Sequence, residues 1–188
     1  AVEWGMDIKE RLNKFEEVIE KVPELCYAGN PVLRSPASAV SPSEGKALGE
    51  KLADVLKRYR AITGFGRGLA APQIGEGKAV FVTYVDDTFE TFINPTIIEK
   101  SPTNNFYREL CMSVGVLAAD VERPEWILMQ WTGPDGNERA EKFDGFKARL
   151  YQHEEAHLRG HLNLDDAAPG GIELITFDPL KEQLREKR

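Results

Sequence analysis

The stretch Tyr151–Leu162, YQHEEAHLRGHL, holds all three histidines of the chain, His153, His157 and His161, at intervals of four. On a helix that interval stacks side chains along one face. His153-Glu154-Glu155-Ala156-His157 is an HExxH pattern. Two imidazoles one turn apart can share one divalent ion, and a glutamate beside the first reaches a water on that ion. The bland alternative is a surface helix carrying two histidines and some acids. A metal reading still needs a third ligand. The longer pattern HExxHxxGxxH finds its glycine in Gly160, but its ligand position is Asn163, a poor ligand for zinc. His161 is too near, because three turns of one helix do not converge on one ion; it reads as a helix-end cation or a polar neighbour. Cys111 remains, in the run Glu109-Leu110-Cys111-Met112-Ser113, and a thiolate suits zinc or ferrous iron. Spacing alone leaves open whether that sulfur meets the helix.

The elements that must position these residues follow from periodicity and punctuation. Residues 7–22 carry Ile8, Leu12, Phe15, Ile19 and Val22 at helical intervals. PELCYAGNPVLRSPASAV, rich in Pro, Ser and Ala, reads as an extended connection. Ser41, Pro42 and Glu44 mark a helix start as N-cap, first-turn proline and capping-box acid. That helix runs through Leu48, Leu52, Val55, Leu56 and Tyr59 and should stop at TGFGRG. KAVFVTYV, TFINPTIIE, SVGVLAAD and WILMQWTG then read as strands separated by turns such as VDD and GPDG. Helical character returns over GFKARLYQHEEAHLRGHL, residues 145–162. The order is α+β in a single domain, residues 1–188, with a helical extension over about 1–30.

Bulk properties narrow the classes. The chain has 188 residues, 41% hydrophobic and 29% charged, with a net charge of −7. That balance argues against direct binding of a phosphate backbone; the one basic run, LREKR at the C-terminus, reads as a solvated helix face. No apolar run is long enough to span a bilayer, and AVEWGMDIKE does not read as a secretory signal. Two cysteines, Cys26 and Cys111, make no disulfide framework and suggest a reducing intracellular compartment. GFGRG contains a G-x-G, yet it lacks GK[ST] and follows a helix, so it is no phosphate cradle.

Three motifs now carry a resemblance. Gly66-Arg67-Gly68-Leu69-Ala70-Ala71-Pro72-Gln73, Glu109-Leu110-Cys111-Met112-Ser113, and Gln152-His153-Glu154-Glu155-Ala156-His157-Leu158 with Gly160 resemble the GxGxAAxQ, EGCxS and QHExDHLxG motifs of the peptide deformylases, in that family's order. PVLRSPA, Ile93-Asn94-Pro95 and Arg123-Pro124 are secondary echoes, and SVGVLAADVERP is closer to the organellar and eukaryotic branch. The resemblance implies antiparallel sheets packed around a central HExxH helix. It implies one divalent metal ion on Cys111, His153 and His157, with Fe2+ native and Zn2+, Ni2+ or Co2+ able to replace it. It implies a hydrolase that removes the formyl group from N-formylmethionyl nascent peptides and releases formate, with Glu154 as general base. The Gln73 side-chain amide and the Met112 backbone N–H would hold the oxyanion; the bland alternative for Gln73 is a loop residue bonded to backbone. Gly66, Arg67 and Gly68 would meet the peptide backbone, and Leu110 and Leu150 would line the methionine pocket. A mitochondrion or other organelle is favoured, with bacterial cytoplasm as the alternative; the oligomeric state is unspecified.

Three positions depart from the motifs. Leu110 stands in place of Gly, so it strains the backbone if φ must be positive there, and otherwise narrows the cleft. Arg67 replaces an aliphatic residue at the mouth and would alter substrate preference or add an acid-binding contact. Ala156 replaces an Asp expected to pair with Arg123, so Arg123 should find another carboxylate or be more exposed. A metalloprotease on the same helix, and a catalytically impaired relative that binds peptides, are the competing readings.

Overall fold

A computed structural model describes residues 8–175; the LREKR tail lies outside them. Helices α1 (Ile8–Lys21) and α2 (Pro42–Thr63) precede strands β1 (Gly68–Ala70), β2 (Val80–Val85), β3 (Thr88–Lys100), β4 (Asn104–Leu110), β5 (Leu117–Pro124), β6 (Trp126–Thr132) and β7 (Glu138–Asp144); helix α3 (Gly145–Leu158) and strand β8 (Ala167–Leu174) follow. Every strand pairing is antiparallel. One sheet has the order β1-β2-β3-β6-β7, the other β4-β5-β8. The architecture is α+β.

Local chemistry sets the boundaries. The Ser41 hydroxyl accepts the Glu44 N–H at 3.2 Å, Pro42 opens α2, and Gly64 closes it in the left-handed region with φ 79°. The VDD turn places Asp86 and Asp87 at φ 52° and 57°, the twist a two-residue hairpin between β2 and β3 requires.

The apolar run Val80-Phe81-Val82 at the start of β2 reflects burial on both faces. Val80 and Val82 join Leu48, Leu52, Val55 and Leu56 of α2 in one core. Phe81 points the other way, into an aromatic core with Phe92, Trp131, Phe143 and Tyr151 of α3. The five-stranded sheet is therefore sandwiched between α2 and α3. Helix α3 is enclosed almost all round, from Ala148 and from Tyr151 through Leu158. Its burial explains why Arg149, His153 and Glu155 on it are tied to partners.

Several expectations shift. Of the expected stripe, Phe15 and Val22 face inward together with Arg11 and Val18, whereas Leu12 and Ile19 are each 47% exposed. Val18 and Val22 fill the space beside α2, which fixes the rotation. Helix α3 ends at Leu158, four residues short of the predicted end. Gly160 sits at φ +83°, and a Cβ there would lie 2.8 Å from the Arg34 backbone, so the chain must leave the helix as it passes that segment. Strands β1, β4, β7 and β8 were not foreseen. β1 has three residues, β7 buries only Phe143 along ERAEKFD, and β8 contains Pro169, tolerated because that strand lies on an edge.

Candidate active site

Strand β4 delivers Glu109 and Leu110, and the chain turns at once into a short 3-10 segment, Met112–Val114, capped by Cys111. Residues two apart on an extended chain share a face, so Glu109 and Cys111 both meet α3. Cys111 Sγ lies 3.5 Å from His157 Nε2. The ligand atoms of Cys111, His153 and His157 all lie within 4.8 Å of one another, and all three residues are buried. The spatial convergence that the sequence left open is present.

The surroundings prepare these atoms for a cation. His153 Nδ1 lies 2.7 Å from Glu109 Oε1, which orients the ring and leaves Nε2 for an ion. Glu109 also accepts from Arg123 Nε at 2.6 Å and Nη2 at 2.9 Å, and from Arg149 Nη1 at 2.8 Å. Burial would raise the Glu109 pKa, but Arg123 and His153 hold it well below the usual carboxylate range. Burial likewise opposes charge on His153, and Cys111 and Glu109 outweigh it, raising its pKa. For His157 burial dominates and, with His153 and Arg123 nearby, keeps the ring neutral. A neutral imidazole and a thiol within reach of a second, carboxylate-backed imidazole form a donor set for a single metal ion.

Glu154 is buried, and its Oε2 has no hydrogen-bond partner in the protein. Burial pushes its pKa up to about 7, against partial opposition from His153 and Arg123. Gly68 makes room for it: a Cβ on that residue would lie 2.7 Å from Glu154 Oε1. Gln73 is clamped. Its Oε1 accepts the Ala70 N–H at 2.9 Å, while Nε2 donates to Ser113 Oγ at 3.1 Å and lies 3.5 Å from Cys111 Sγ. The backbone-bonded reading of Gln73 is present in its oxygen, while its NH2 is directed to Ser113 and the sulfur. The Met112 N–H opens its 3-10 turn, where no partner exists within the turn.

These groups face a cleft of about 650 Å³ lined also by Gly66, Arg67, Gly68, Leu110, Phe146, Arg149 and Leu150. Leu110 is absent from the residues at positive φ, so it carries no strain and instead narrows the cleft. Arg123 stays buried and takes its carboxylate from Glu109, with Asp166 at 3.7 Å; the alternative of greater exposure is not realised. His161 lies past the helix end, 3.2 Å from Asp166, and Asn163 Nδ2 donates to the Glu109 carbonyl. Reading by motif overlooked Ser113, which holds Gln73, and Arg149, which holds Glu109 and the Asn105 and Val121 carbonyls. The four-residue spacing from Arg149 to His153 was the available signal.

The chain is similar to known proteins over most of its length. A peptide deformylase of Treponema pallidum (strain Nichols) is 37% identical over 143 residues, covering 76% of this chain and 86% of that one. The crystal structure of peptide deformylase from Thermotoga maritima superposes with a TM-score of 0.71 at 33% identity, over 77% of this chain and 97% of that one. A peptide deformylase of Synechococcus elongatus, solved in complex with actinonin, gives 0.68 at 29% identity over 87% and 83%. Residues 22–171 match the family described as Polypeptide deformylase, and the chain belongs to that family.

Proposed function

We propose that this chain is a metal-dependent peptide deformylase, removing the formyl group from N-formylmethionyl nascent peptides and releasing formate. The observation that carries the reading is the meeting of Cys111 with His153 and His157 in a cleft that also contains Glu154. Cys111, His153 and His157 would hold one divalent cation, and the mixed sulfur and nitrogen set suits Fe2+ as the resident ion, with Zn2+, Ni2+ or Co2+ as substitutes. The ion supplies Lewis acidity, lowering the pKa of a water and polarising the formyl carbonyl.

The protein's own groups do the rest. Glu154 takes a proton from the attacking water and returns it to the departing amine. The Gln73 NH2 and the Met112 N–H donate to the formyl oxygen as it becomes negative. Glu109 holds His153 in one tautomer, and Arg123 and Arg149 hold Glu109. Leu110 and Leu150 contact the methionine side chain, and Gly66, Arg67 and Gly68 run beside the peptide backbone. Residues 8–175 act as one catalytic unit, with α1 as an added segment. A sulfur ligand at Cys111 would need to stay reduced, which favours a reducing compartment in which formylated chains are made, either bacterial cytoplasm or an organelle. No helix among the described residues is long and apolar enough to cross a membrane.

The test is to purify the protein without air, quantify its metal, and measure formate from formyl-Met-Ala-Ser beside the Glu154→Gln variant. Activity that the substitution abolishes with metal retained supports the reading. Equal background in both proteins supports a silent peptide binder, and cleavage of internal bonds in unformylated peptides supports a metalloprotease.

A further inference from the structure

We infer that the cleft selects formylated peptides bearing an acidic side chain at one of the two residues after methionine, with Arg67 as the specificity-determining residue. The inference rests on the deformylase reading above. Arg67 is exposed at the cleft lip between Gly66 and Gly68. Its guanidinium lies over the Phe146 ring, 4.6 Å from the centroid, and among the described residues it has no carboxylate within ion-pair distance. A guanidinium stacked on a ring keeps its in-plane N–H fork for an acceptor, and a carboxylate matches that fork.

Neighbouring groups extend the same sign. Arg60 lies over the Tyr84 ring at 4.3 Å and donates to the Gly66 carbonyl at 2.6 Å, so it braces the segment that presents Arg67. Helix α1, all of which precedes the family match that begins at residue 22, adds Arg11 and Lys14 to the lining, with Lys14 3.6 Å from Glu17. Of the acids in the lining, Glu109 is matched by Arg123 and Arg149 and Glu154 lies deep, so the opposing charge at the lip is that of the Asp86-Asp87 turn, where Asp87 accepts the Tyr84 hydroxyl. A cationic rim on a chain of net charge −7 is a local feature, not a reflection of composition.

Backbone geometry brings a peptide to that rim. Strand β1 pairs with β2 alone and leaves its other edge open, the arrangement that accepts an extended peptide by main-chain hydrogen bonds. With the methionine side chain directed towards Leu110 and Leu150, the next two side chains point to alternate sides along the lip that holds Arg67.

The experiment compares kcat/KM of the metal-loaded protein for formyl-Met-Ala-Ser, formyl-Met-Glu-Ser, formyl-Met-Ala-Glu and formyl-Met-Lys-Ser. At low ionic strength one of the glutamate peptides should exceed the alanine peptide by about fivefold and the lysine peptide by about tenfold, and salt should shrink both ratios. Arg67→Glu should abolish or invert the preference, and Arg67→Lys should retain part of it. Calorimetric titration with the product peptides Met-Glu-Ser and Met-Ala-Glu reads the same contact without turnover, and the one matching the preferred substrate should bind the Arg67→Glu protein more weakly. Equal kcat/KM for all four peptides, or a glutamate preference and product affinity unchanged in Arg67→Glu, overturns the inference and leaves the deformylase reading intact. Absence of formate from formyl-Met-Ala-Ser overturns both.

Discussion

Gly68→Ala tests the placement of the proposed general base through kcat, with any effect on the peptide beside Gly68 read separately in KM. Gly68 lies in strand β1 and is not among the residues at positive φ, so alanine suits its backbone. The added methyl would meet Glu154 Oε1 at 2.7 Å, Cδ at 2.9 Å and Cγ at 3.0 Å. Ordinary contacts begin near 3.5 Å, so the carboxylate must retreat by about 0.5–0.8 Å. Glu154 is 2% exposed on a largely buried helix, so its retreat is confined to the cleft it faces. A misplacement of about 1 Å at a reacting centre lowers rate by about a hundredfold. The smaller retreat predicts a loss in kcat of about thirtyfold, near 2 kcal/mol of activation free energy. The assay is formate release from formyl-Met-Ala-Ser, with metal content and melting temperature measured on the same preparation. Metal content should stay at the wild-type level, because the three nearest atoms to the methyl all belong to Glu154. Gly77→Ala is the control: a Cβ there meets nothing within 4 Å, and activity should be unchanged. A Gly68→Ala enzyme within about threefold of wild-type kcat would refute the assignment of Glu154's position as rate-determining.

Two further outcomes follow from the buried network. Glu109→Ala strands the Arg123 and Arg149 guanidinium groups and frees the His153 ring. Removing one partner of a buried ion pair costs about 3–5 kcal/mol, readable by denaturant titration, and loss of the carboxylate behind a ligand histidine weakens metal binding by about ten- to a hundredfold. Chelation should also destabilise the protein, because the ion would join Cys111 to two histidines on a different element. At metal concentrations near a thousand times Kd the stabilisation is about 4 kcal/mol. Scanning calorimetry of apo and reloaded protein checks it, and identical melting temperatures would count against a resident ion.

The candidate ligand set was legible because metal chemistry restricts residue type and because HExxH fixes spacing on one helix. The cysteine was nameable as a candidate, but its meeting with that helix depends on β4 turning abruptly at Leu110, and the run NNFYREL carries no periodic signal strong enough to announce a strand. Strand β1 was hidden for another reason. Three residues are too few for alternation to register, and its glycine owes its identity to Glu154, some eighty-six positions away. The α1 stripe failed on phase: two overlapping apolar faces share Phe15 and Val22, and only packing against α2 and the cleft chose between them.

Arg123 shows how far the argument from sequence reaches. With Ala156 where an acid was expected, electrostatics requires that an arginine either find a carboxylate or stay in water. The structure satisfies the first condition through Glu109, which sits two residues before Cys111 and so faces the same helix. One carboxylate then serves two arginines and a ligand histidine. The demand for a partner was readable from residue types; its identity was not, because the pairing of β4 with β5 sets Arg123 opposite Asn105, four positions from Glu109 on the same strand, and the two long side chains close the remaining distance. That sharing ties the metal centre to the sheet. A substitution at Arg123 or Arg149 should therefore reach the metal through Glu109, even though neither arginine is a ligand.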